Sequence, residues 1–94
     1  MNINSAFKLA RKAFPNVQFD MNKYFETDRV FVLMDIQDPN VYDDGYIVVV
    51  DKSNNSINTY GCEIFTEDFV SKAKYWTKTN GEWKFIPASL AFDD

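Results

Sequence analysis

The sequence predicts an α+β domain: an N-terminal helix packed on a curved antiparallel sheet of about five strands, closing with a C-terminal hairpin. Three observations carry that expectation. Apolar spacing changes from about 3.6 to about 2 just after Pro15, so helix gives way to strand. Two β-branched runs, Val30–Ile36 and Tyr46–Val50, flank a segment dense in turn residues. An Asn80-Gly81 pair sits between two aromatic-rich stretches, which is a hairpin signal. With 94 residues, 46% hydrophobic and 17% aromatic, the chain has material for one core only. No repeat, linker or low-complexity stretch divides it, and residues 1–94 read as a single domain.

The first element is a helix. Ile3, Ala6, Phe7, Ala10, Ala13 and Phe14 recur on one helical face, and Asn4 or Ser5 can cap its first turn. Lys8, Arg11 and Lys12 fall outside the stripe near the C-terminal end, where positive charge suits the macrodipole and solvent. Pro15 and Asn16 stop the helix. Val17, Phe19 and Met21 then alternate with polar residues, as in a short strand, and residues 23–28 are polar enough for a turn. Val30–Ile36 is apolar on both faces, the pattern of an inner strand and not of an open edge. Residues 37–45 make a turn, Tyr46–Val50 a second inner strand, residues 51–55 another turn, and Ser56–Phe65 alternates as a third. Short polar connections between them predict an antiparallel meander.

Residues 66–76 fit two periods. Thr66, Glu67 and Asp68 resemble a helix start, with Phe69, Val70, Ala73 and Trp76 sharing a face. As a strand, Phe69, Ala73 and Tyr75 would oppose Val70 and Trp76. The strand is preferred because a hairpin follows, although the helix stays open. A type I′ turn at Asn80-Gly81 pairs Thr79 with Glu82, Lys78 with Trp83, and Trp76 with Phe85. Trp76, Lys78, Trp83 and Phe85 then share one face; Tyr75, Thr77, Lys84 and Ile86 share the other. Pro87 ends the strand, and residues 89–94 form a tail.

The chemistry is narrowed mainly by absence. The chain has no histidine, so it lacks the commonest general base and metal ligand and every Ser-His or Cys-His pair. Its one cysteine, Cys62, cannot form an internal disulfide or a cysteine-rich zinc site. Gly45, Gly61 and Gly81 are isolated, so no glycine-rich phosphate loop exists. Asp35, Asp38, Asp43 and Asp44 lack the spacing of a calcium loop and read as a solvated turn. The expectation is a non-enzyme with no catalytic residue, metal or cofactor. Charges break up the first apolar residues, and no run approaches the roughly 20 residues of a membrane span. Together with the lone cysteine, that predicts a cytoplasmic protein without membrane contact.

The net charge of −4 disfavours direct nucleic-acid binding. Its distribution is uneven. Residues 26–68 carry two cations against ten carboxylates, a net of −8, whereas residues 1–25 and 69–94 are net basic. Separated charge on a small domain suits electrostatically steered binding to a basic protein. Asp38, Tyr42, Asp43, Asp44, Glu63, Glu67 and Asp68 are the candidate partner-binding residues, acids at strand ends and turns with a Tyr among them.

A family resemblance adds to this. The helix Ala6–Ala13 ending in Pro15, an aromatic strand, and Tyr46-Ile47-Val48-Val49-Val50-Asp51-Lys52 before Ile57 resemble small bacterial toxin-immunity proteins of the YrhB-like class. The terminal Trp76…Trp83 hairpin is similar to the closing hairpin of cystatin-like and nuclear-transport-factor-like folds. The resemblance implies a protein that binds and blocks a cognate toxin, for which a basic nuclease domain would be a complementary partner. Two other readings stand beside it. One is a small-ligand module with an apolar pocket lined by Phe31, Trp76 and Trp83. The other is a phage or mobile-element protein whose acidic surface mimics nucleic acid towards host machinery. The oligomeric state is left open.

Overall fold

The computed structural model describes residues 1–36 and 47–92. In chain order the elements are α1 (Ile3–Ala13), β1 (Lys23–Glu26), β2 (Val30–Met34), β3 (Ile47–Asp51), β4 (Ile57–Tyr60), a 3₁₀ turn (Cys62–Ile64), α2 (Glu67–Lys72), β5 (Lys74–Thr79), β6 (Glu82–Pro87) and α3 (Ala88–Ala91). The six strands form one open sheet in the order β4-β3-β2-β1-β5-β6, antiparallel at every junction. The expected α+β class is therefore correct, with one more strand than expected. β1 to β4 are the meander; β5 crosses back to pair with β1, and β6 returns beside it.

The cap of α1 lies further upstream than expected. Asn2, not Asn4 or Ser5, accepts the Ser5 N–H through its side chain at 2.9 Å. Ala6, Phe7 and Ala10 are buried, with Arg11 and Lys12 in the last turn. The segment read as a strand over Val17–Met21 makes a single bridge, Phe19 with Asp35, and the residues read as a turn supply β1. The second difference has a physical cause. Tyr24 and Phe25 are buried on opposite faces between two neighbouring strands, and that position outweighs their polar flanks Lys23 and Glu26.

Strand alternation builds a core on each face. On one, α1 packs Ala6, Phe7 and Ala10 against Tyr24, Phe31, Leu33, Val48 and Val50. On the other, Phe25, Val32, Ile47, Val49, Ala73 and Ala88 meet Phe65, Phe69 and Val70. This is why β2 and β3 are apolar on both sides: helices cover both faces, where one helix on one face was expected. The preferred strand over residues 66–73 is replaced by α2. Thr66 Oγ1 accepts the Phe69 N–H at 3.1 Å and the Ala73 N–H donates to the Phe69 carbonyl at 3.0 Å, so one short helix is closed at both ends. The supposed tail likewise contains α3.

The hairpin forms as expected. Asn80 and Gly81 have φ of 55° and 82°, as a type I′ turn requires, and Thr79–Glu82, Lys78–Trp83 and Trp76–Phe85 are paired.

Candidate functional site

Of the candidate partner-binding residues, Asp38, Tyr42, Asp43 and Asp44 lie outside the described residues. The other three sit on one stretch of chain and are exposed. Glu63 is on the 3₁₀ turn, and its carboxylate accepts the Gly61 N–H at 3.0 Å. Its own N–H and that of Gly61 hold this carboxyl below the usual range for a Glu. It is charged and fixed in place.

Glu67 and Asp68 occupy the first turn of α2, where acids suit the helix dipole. Asp68 Oδ1 meets Lys72 Nζ at 3.1 Å one turn on, but both side chains are more than two-thirds exposed, so the pair costs little to break. Phe69 and Val70 point inward from the same helix. Phe69 packs on Phe25 and Phe65, with ring centroids 6.3 and 5.7 Å apart.

The sides of α2 differ. Phe65, Val70 and Phe92 line an open groove of about 350 Å³ between α2 and α3, with Glu67, Ser71 and Ser89 along it. The Phe65 and Phe92 rings, 5.2 Å apart, make its apolar wall, and Phe92 is half exposed. A second groove of about 630 Å³ is more polar, lined by Thr27, Asp28, Arg29, Asp68 and Lys72 around Phe69. Helix α2 is thus a ridge with an acid over each flank and an apolar slot on one side. Phe65, Val70 and Phe92 were not singled out from the sequence. Phe92 lay in the supposed tail, and Phe65 and Val70 in the supposed strands.

The rings proposed to line a ligand pocket have another use. Phe31, Trp76 and Trp83 pack around Tyr24, with centroids 5.7, 6.0 and 5.0 Å from its own. The Trp76 Nε1–H donates to Glu26 Oε1 at 2.9 Å, and Lys52 Nζ donates to Glu26 Oε2 at 2.7 Å and to the Thr27 carbonyl at 2.8 Å. Lys52 also lies 4.6 Å over the Phe31 ring. Burial, then the nearby Glu26 charge, pushes the Tyr24 phenol up to about 12. This cluster is cross-linked as a structural unit.

Among the described residues no group of three or more Cys, Asp or Glu side chains is placed to hold a metal ion. No helix among them is long and apolar enough to cross a membrane. Comparison of the chain with protein-family models, with curated proteins and with solved structures gives no match.

Proposed function

We propose that this chain is a non-catalytic, cytoplasmic inhibitor of the immunity or antitoxin type, binding a basic toxin domain through the α2 ridge. The observation that carries the reading is the pairing of apolar and acidic surface at α2: Glu67 stands over the Phe65–Val70–Phe92 slot, and Asp68 stands over the opposite groove. Such a surface accepts an apolar anchor flanked by Lys or Arg, the combination from which interface cores and their charged rims are built. A nuclease toxin, whose substrate groove must attract phosphate, offers a basic rim of this kind. Blocking by occlusion needs no chemistry from the inhibitor, which fits a chain without histidine.

The test uses the protein encoded by the reading frame next to this chain's gene. Cells expressing that product should stop growing, and wild-type chain should restore growth. Reversing the ridge acids with E67K/D68K should slow association at least about tenfold at low salt and make the remainder less salt-sensitive. Blocking the slot with V70D should speed dissociation. A neighbouring product without toxicity, or full protection by E67K/D68K, would refute the proposal.

A further inference from the structure

The outer edge of β6 points to a second copy of this chain. Among the described residues, strands β4 and β6 are the two edges of the sheet. Directly after β6, the Ala88 N–H donates inward to the Ala73 carbonyl, and the two-residue turn makes Thr79–Glu82 the closing hydrogen-bonded pair. Even-numbered residues of this strand therefore bond inward, and the N–H and C=O groups of Trp83 and Phe85 face outward. Every residue of β6 except Trp83 is exposed, and Phe85 is half exposed. An edge of this kind is a template for another strand.

Only one antiparallel register between two β6 strands satisfies both charge and hydrogen bonding. Setting Trp83 opposite Phe85 of the second copy forces Lys84 against Lys84. Setting Phe85 opposite itself brings Pro87, which has no N–H, against Trp83. Setting Trp83 opposite itself places Glu82 against Lys84 of the second copy, twice by symmetry. In that register Phe85 lies beside the partner's Asn80-Gly81 turn, where nothing comes within 4 Å of the position a Gly81 Cβ would take. An aromatic side chain over a glycine is a known stabiliser of strand edges. Strand β4 is four residues long and carries no charged side chain, so nothing comparable sets a register there.

We propose that the chain forms a two-fold symmetric dimer through β6, with Trp83 at the axis and reciprocal Glu82–Lys84 pairs, making one twelve-stranded sheet. The proposal is independent of the α2 ridge. With about five residues paired on each side the dimer is weak, so it is measured by sedimentation of the full chain from about 1 μM to 1 mM. Wild-type protein should show a concentration-dependent dimer. E82K and K84E alone each set like charges across the interface twice, and each should weaken dimerisation by about tenfold or more. An equimolar mixture of E82K with K84E should restore it, because both cross-strand pairs are then complementary. Both positions are solvent-exposed, and recovery on mixing separates lost association from lost folding. A wild-type monomer at every concentration, a dimer that neither single change weakens, or no recovery in the mixture would overturn the proposal.

Discussion

Removing the Glu26 carboxylate should be among the most damaging polar substitutions in this protein. Its oxygens accept from Trp76 Nε1–H at 2.9 Å and from Lys52 Nζ at 2.7 Å, tying β5 and the turn after β3 to β1. The Glu26 and Lys52 side chains are each about three-quarters covered, 24% and 23% exposed. Hydrogen bonds to a charged group contribute about 1.5–3 kcal/mol each, and a covered ammonium that loses its counter-charge adds a further penalty. Two such bonds share one carboxylate and are not additive, so E26A should cost about 2–3 kcal/mol. For a domain of this length that lowers Tm by roughly 10–20 °C. E26Q keeps an acceptor for Trp76 but not the charge, and should cost about half as much. Urea denaturation followed by tryptophan fluorescence gives all these values, and a double-mutant cycle with K52M isolates the ion pair at about 1 kcal/mol. An E26A variant within about 0.5 kcal/mol of wild type would show that this network is incidental.

Three further outcomes are expected. T66A removes the side chain that accepts the Phe69 N–H and should cost about 1 kcal/mol in thermal unfolding, whereas T66S should be nearly silent. G81A places a Cβ at φ 82° in open space, so its cost of about 1 kcal/mol comes from backbone strain alone, and denaturant unfolding should show it without a change in m-value. Absorbance titration should find one phenol ionising near pH 12. Since Tyr24 holds its proton more tightly folded than unfolded, its contribution is complete below about pH 10 and falls away from about pH 10 to 12. Y24F should flatten that part of the stability–pH curve.

The features legible in the sequence are those fixed by residues close together along the chain. The Trp76–Phe85 hairpin needs only the turn preference of Asn80-Gly81, and β2 and β3 announce their inner positions by apolar residues on both faces. β1 is hidden because two apolar residues between Lys23 and Glu26 carry no period, and one of its partners, β5, lies about fifty residues away. The 66–73 segment suits either period on its apolar residues. Thr66 decides it, by supplying a cap that a strand would not use. The same limit applies at the candidate site. Glu63, Glu67 and Asp68 can be read as exposed acids, but the slot beside Glu67 joins Phe65 before α2 to Phe92 after α3, a juxtaposition made only by folding.

The two proposed surfaces constrain one another. α2 packs on the face of the sheet opposite α1, and strands paired about an axis normal to the sheet keep each copy's helices on the same side. A β6-linked dimer would therefore present two α2 ridges side by side, each with its Glu67 and Asp68, to whatever approaches that face. A partner with a single basic patch would gain little from the second ridge. One with two patches, or itself a dimer, would bind the second at high effective concentration. Charge reversal at Glu82 would then weaken binding of a bivalent partner without touching the ridge, while a monovalent partner would not register it. Measuring E82K and the E82K/K84E mixture against the same partner therefore distinguishes a surface that works singly from one that works in pairs.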